Sequence, residues 1–148
     1  MKVISLKFIL INILLVALNQ LTPQTQNNAD DITGEWVTKR KDGHVVIYKQ
    51  NGMYYGRLKL SIDEGALDTK NPDPKLRTRK IMGLVILNEL VFDNENNWNR
   101  GTIYDPLEGK MYSCKIYLKT ANELQVRGYI GISLFGRTDT WIRLGRSK

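Results

Sequence analysis

Cysteine is almost missing from this chain. Cys114 stands alone, which excludes an intrachain disulfide whatever compartment the protein reaches. Histidine is as scarce, with His44 the single example. A thiolate–imidazole pair would have to be built from these two residues, which sit on strand-like segments far apart in sequence. The expected roles are a buried apolar thiol and a histidine beside a turn, so no catalytic residue is assigned. No segment carries the 3.6-residue apolar period of a helix, so no glycine-rich phosphate loop can lead into one. Asp68, Asn71 and Asp73 are too few and wrongly spaced for a calcium loop, and no metal or cofactor is expected.

Long apolar runs are also lacking. The longest, Phe8 to Leu18, is interrupted by Asn12 and preceded by Lys2 and Lys7. It is short for a membrane span, and its basic lead and polar sequel read as a secretory signal, with cleavage inside residues 1–26. No cysteine follows it, which excludes lipid attachment to an N-terminal cysteine. The expected destination is periplasmic or secreted. The formal charge is +7, or +5 once Lys2 and Lys7 are removed. A basic exported domain favours an anionic envelope component or a membrane surface as partner, and nucleic acid is not expected outside the cytoplasm.

What is present is strand after strand. Residues 27–32 read as a flexible lead-in and residues 33–148 as a single domain. His44 to Lys49 is β-branched and aromatic, and Asn51-Gly52 is a two-residue hairpin turn. Tyr54, Gly56, Leu58, Leu60 and Ile62 alternate with Tyr55, Arg57, Lys59 and Ser61, the period of a half-buried antiparallel strand. Leu84 to Leu87 and Leu90 to Phe92 read as two further strands, and Trp98 to Tyr104 as another. Tyr112, Cys114, Ile116 and Leu118 share one face of the next, and Leu124, Val126, Gly128 and Ile130 one face of its successor. Sequential hairpins of this kind predict an all-β, up-and-down antiparallel barrel of eight or nine strands.

Two short pieces bracket the barrel. Gly34-Glu35-Trp36 opens it, and Thr138-Asp139-Thr140-Trp141-Ile142-Arg143 ends it. An arginine from the last strand laid across an indole from the first would close one end, so Trp36 and Arg143 are assigned to barrel closure. Alternation leaves two cases for the last strand. Either Arg137, Asp139, Trp141 and Arg143 point inward, or Thr138, Thr140, Ile142 and Leu144 do.

Between Asp63 and Lys80 the alternation stops. Three of the four prolines follow the leader, and two of them, Pro72 and Pro74, lie here. An irregular connection this long is expected to be a lid or binding loop, with Arg77, Arg79 and Lys80 able to clamp an anion. Gly131 to Gly136 carries an apolar tip, with Phe135 as a plug, a partner contact or a membrane contact.

These stretches taken together, Gly34-x-Trp36, Asn51-Gly52-x-Tyr54-x-Gly56, Asn71-Pro72-Asp73-Pro74-x-x-Arg77, Tyr104-Asp105-Pro106-x-x-Gly109-x-x-Tyr112-x-Cys114, Arg127-Gly128-Tyr129 and Phe135-Gly136-Arg137-Thr138-x-Thr140-Trp141-x-Arg143, resemble the exported bacterial family catalogued as domain of unknown function 2147. The resemblance implies a calycin-like (lipocalin-like) barrel and supplies no catalytic residues. The function expected is non-enzymatic binding of a small amphiphilic or anionic ligand in the barrel, with Tyr54, Arg77, Tyr112, Arg127 and Trp141 as ligand contacts. The alternative is an envelope protein-interaction module using the basic 70–80 loop and the Phe135 tip.

Overall fold

The computed structural model describes residues 28–39, 43–61 and 63–145. The signal segment expected over 1–26 lies outside them. Eight antiparallel strands form the barrel: β1 Gly34–Thr38, β2 Gly43–Gln50, β3 Met53–Ser61, β4 Val85–Phe92, β5 Asn97–Asp105, β6 Lys110–Thr120, β7 Glu123–Tyr129 and β8 Gly136–Arg143. Each pairs with its neighbour in sequence, and β8 returns to β1 through Trp36–Arg143 and Thr38–Trp141, so the sheet has no free edge.

Leu84 to Phe92, expected as two strands, contains one. The chain stays in β4 through a kink at Glu89, which has φ +56°. A facing kink at Arg100, with φ +64°, brings β5 so close that a Cβ on Gly101 would lie 2.6 Å from both the Asn88 carbonyl and Leu90 Cγ. Only glycine fits there.

Inward positions follow the two-residue alternation. Trp36, Val45, Ile47, Tyr54, Leu87, Leu90, Trp98, Cys114, Ile116, Leu118, Leu124, Val126 and Trp141 belong to one continuous core. On β8 the choice is decided. Trp141 is 3% exposed and Ile142 is 40%, so the face shared by Arg137, Asp139, Trp141 and Arg143 points inward. Tyr54 meets Trp98 edge to face, and Phe92 lies against the same indole with centroids 4.8 Å apart.

Residues 28–32 correct the expectation of a flexible lead-in over 27–32, residue 27 lying outside the described residues. Ala29–Ile32 is a turn of 3-10 helix, capped reciprocally by Asn28 and Asp31 and carrying the fully buried Ile32. The composition is polar enough for disorder, but the turn is held by side chains from distant strands, which local composition cannot register.

The 63–84 connection is also ordered, by a buried ionic cluster. Asp68 is fully buried. Its carboxylate accepts from the Tyr104 hydroxyl, from the Asn71 amide at 2.7 Å and from Arg79 through Nε and Nη2 at 3.0 and 2.8 Å. Tyr104 alternates with the inward Ile103, so this cluster fixes residues 68–71 against the outer rim of β5. Ile81 and Ala66 turn back to pack on the core.

Candidate functional site

The barrel has two unlike ends. At the first, the 3-10 turn is seated as a stopper, and its carbonyls are the reason it stays. The indole of Trp36 donates to Ile32 O at 2.8 Å and that of Trp98 to Ala29 O at 3.0 Å. The Arg143 guanidinium lies 4.1 Å from the Trp36 ring and donates to Thr33 O at 2.7 Å, Asp31 O at 2.5 Å and Ala121 O at 2.8 Å. Gly34, at φ +122°, leaves room for that fork, since a Cβ there would sit 2.9 Å from Arg143 Nη1. Trp36 and Arg143 therefore meet as their spacing suggested, and the guanidinium also binds a segment that had no predicted role.

Tyr54 belongs to this end too. Its hydroxyl donates to Asp30 Oδ1, which also accepts from Lys49 Nζ at 2.8 Å. The Lys49 and Tyr54 bonds hold the Asp30 carboxyl below its ordinary range, while burial and Asp30 push the Tyr54 phenol up. The ligand role expected of Tyr54 is corrected: the ring is buried and its hydroxyl anchors the stopper.

At the second end the inward positions become accessible. The register pairs Ile103 with Tyr112, Cys114 with Gly128, Gly128 with Arg137 and Val126 with Asp139. A Cβ on Gly128 would face Ile103 at 3.4 Å and Tyr112 at 3.6 Å, placing all three on the inner wall. Ile103, Tyr112, Gly128 and Asp139 are half-buried and Arg137 is exposed, whereas the inward residues one step deeper, Cys114, Val126 and Trp141, are buried. Solvent therefore reaches the inner wall at its rim, above the buried Trp141, and this rim is termed the cup. The floor is polar on one side, where Trp141 Nε1 donates to Asp139 Oδ2 at 3.1 Å.

The rim of the cup is ionic. The Tyr112 hydroxyl donates to Glu108 Oε2 at 2.6 Å, and Lys110 lies 3.4 Å from the same oxygen. That hydroxyl, then Lys110 and the charge of Arg137, hold the Glu108 carboxyl below its usual range. The bond to Glu108, with some burial, pushes the Tyr112 phenol up.

Of the five predicted ligand contacts, Tyr112 and Trp141 line the cup, and the other three do not. Arg127 is on the outer face of β7. Its Nε donates to Ser133 O at 2.7 Å, its Nη2 to Leu134 O at 3.1 Å and its Nη1 to Thr138 Oγ1 at 2.8 Å, so it grips the 131–136 turn. Arg77 donates through Nε to Asn71 O at 2.8 Å, within the loop fixed at the rim of β5. The anion clamp expected of Arg77, Arg79 and Lys80 loses its centre, because the Arg79 fork is closed on Asp68. Gly128 and Glu108 had no assigned role. For Gly128 the signal was available, as an inward glycine beside a tyrosine pair.

The thiol and imidazole are separated by the wall. Cys114 points inward, fully buried, and burial pushes its pKa up to about 12. His44 lies on the outer face, with Nδ1 3.4 Å from Glu35 Oε1. Among the described residues, no cluster of three or more histidine, cysteine or acidic side chains has the geometry to hold a metal ion.

A closed eight-stranded up-and-down antiparallel barrel is the architecture of the lipocalin-like class. The chain belongs to the bacterial family DUF2147, described as an uncharacterized protein conserved in bacteria, whose pattern matches residues 34–143. A solved structure described as protein HP1028 from the human pathogen Helicobacter pylori, belonging to the lipocalin family, superposes with a TM-score of 0.71 at 26% identity, covering 77% of this chain and 83% of that one. No protein of curated function matches the sequence.

Proposed function

We propose that this is an exported, non-enzymatic binding protein that holds a small amphiphilic or anionic molecule in the cup at the open end of the barrel. The observation that carries the reading is the change along one inner face, from fully buried at the stopper to half-open at Tyr112, Gly128 and Asp139. A cup with an indole floor, an Ile103–Tyr112 wall and Arg137 at the lip suits an apolar tail below and a polar head at the rim. Arg137 supplies the charge for an anionic head, and Asp139, bonded to Trp141, turns such a head toward the lip. The leader, with its basic start and short apolar run, supports a periplasmic or secreted location.

The alternative, a protein-interaction module built on the basic 70–80 loop and the Phe135 tip, is less favoured, because Arg79 is committed to Asp68 and Arg77 to Asn71. An enzyme centred on Cys114 is disfavoured by a thiol raised to about 12 and an imidazole on the other side of the wall.

Native mass spectrometry of the gently isolated protein tests the reading, with thermal melting in oleate and lysophosphatidylglycerol beside it. A copurifying small molecule, or a rise in melting temperature with either probe, is expected. Gly128→Leu, which extends a side chain between Ile103 and Tyr112, should abolish either signal while the barrel still melts cooperatively. A protein with no adduct and no response to either probe would overturn the proposal.

A further inference from the structure

Six large apolar side chains stand clear of the protein at the open end. Leu107 and Met111 flank the β5–β6 turn, and Ile130, Ile132, Leu134 and Phe135 belong to the β7–β8 turn. All are more than half exposed, from Met111 at 56% to Leu134 at 75%. The two turns adjoin, because β6 pairs with β7 up to Ser113–Tyr129 and both chains run on past that pair toward the rim. Together they form one crown beside the mouth rather than scattered surface residues.

The crown is held in its exposed shape. Arg127 binds the carbonyls of Ser133 and Leu134 from below, Phe135 N donates to Ile132 O at 3.1 Å and Ile130 N to Phe135 O at 3.4 Å. These bonds satisfy the turn from within, so its four apolar side chains point outward from a backbone that is already paired. Ordering such a turn in advance lowers what docking must cost.

Charge is divided along the barrel axis in the same sense. Among the described residues, the connections at the open end (39, 63–84, 106–109 and 130–135) carry six basic and five acidic side chains, Arg79 and Asp68 being paired with each other. The strand connections at the stopper end (28–33, 51–52, 93–96 and 121–122) carry four acidic side chains and no basic one, with Lys49 and Arg143 on the strand ends beside them. The crown thus lies at the less acidic end of the barrel, and Lys110 and Arg137 flank its two turns at the starts of β6 and β8. Exposed Leu, Ile and Phe tips with Lys110 and Arg137 beside them suit the interface of an anionic bilayer, where the tips enter the acyl boundary and the cations meet the headgroups. We infer that the β5–β6 and β7–β8 turns dock the open end of the barrel onto an anionic phospholipid surface. The inference stands apart from the interior ligand, since a barrel with nothing inside would dock equally well.

Phe135→Trp places a reporter in the crown, while the native Trp36, Trp98 and Trp141 are buried. With vesicles of mixed phosphatidylglycerol and phosphatidylcholine, the added emission is expected to shift to the blue and to be quenched by brominated acyl chains. Vesicles of phosphatidylcholine alone should give little response, and raising the salt should reverse the shift. Leu134→Ser combined with Phe135→Ser should weaken sedimentation with the anionic vesicles by about tenfold or more, given two exposed anchors. Retention of the wild-type melting temperature would show that this variant is folded. Three results would overturn the inference: no blue shift of the F135W variant with either vesicle, sedimentation unchanged by the double substitution, or a concentration-dependent dimer in ultracentrifugation that buries the crown and leaves vesicles unbound.

Discussion

Replacing Arg143 by methionine is the sharpest test of how the barrel is closed. Methionine keeps much of the aliphatic stem and removes the charged fork. Stacking on Trp36 at 4.1 Å contributes about 1 kcal/mol for a partly desolvated pair. The carbonyls of Asp31, Thr33 and Ala121 also lose their donor. Charged hydrogen bonds are each worth up to a few kcal/mol, but water reaches this partly exposed site, so about 2 kcal/mol is a fair sum. The total, ~3 kcal/mol, corresponds to a fall of roughly 12 °C in melting temperature for a domain of this size. Urea unfolding followed by tryptophan fluorescence should show the midpoint falling with the slope unchanged. Arg143→Lys keeps a charge near the ring but cannot reach three carbonyls with one ammonium, so it should recover only the smaller share. A cycle with Trp36→Phe should give a coupling of about 1 kcal/mol, since the two side chains touch. If Arg143→Met costs under about 1 kcal/mol, or Arg143→Lys behaves as wild type, the guanidinium does not hold the stopper and the reasoning fails.

Three other outcomes follow from the same geometry. Asp68→Asn should cost ~2–4 kcal/mol, toward the lower figure because Arg79 is half exposed, and should raise proteolytic cleavage within 63–84 before it affects the strands. Burial pushes the Asp68 carboxyl up, but the bonds from Tyr104, Asn71 and Arg79 outweigh it and leave its pKa lowered. Its contribution is therefore complete above the unfolded value of 3.8 and is lost as pH falls through the lower folded value. Urea midpoints measured downward from pH 5 should drop more steeply in wild type than in Asp68→Asn, and parallel curves would refute this. Gly101→Ala should destabilise by about 1–3 kcal/mol, because backbone at Asn88 and the Leu90 side chain both occupy the space a methyl would take; an unchanged melting temperature would mean that β4 and β5 can part freely. Cys114 should resist iodoacetamide at neutral pH and react only after unfolding, and rapid alkylation of the folded protein would bring back the catalytic reading.

Which parts of this molecule could be read in advance depends on how far apart the interacting groups are in sequence. The strands announce themselves through a two-residue period, and the Asn51-Gly52 turn through its tolerance of positive φ, which Asn51 adopts at +51° and Gly52 at +79°. Both signals are local. The Trp36–Arg143 contact is long-range but was foreshadowed because a closed barrel must bring its first and last strands together. The stopper was not legible, since Asn28 to Asp31 is polar by composition and is fixed by Trp36, Trp98 and Arg143, the last more than a hundred residues away. The cup residues lie between these extremes. Alternation puts Arg127 on the face opposite Val126 and Gly128, and taking that face as outward would have removed it from the ligand set. Tyr54 and Tyr112 could not be separated in this way, because both point inward and differ only in which end of the barrel they occupy. Depth along the axis, which depends on the register of all eight strands, makes one tyrosine a hidden anchor and leaves the other at the mouth.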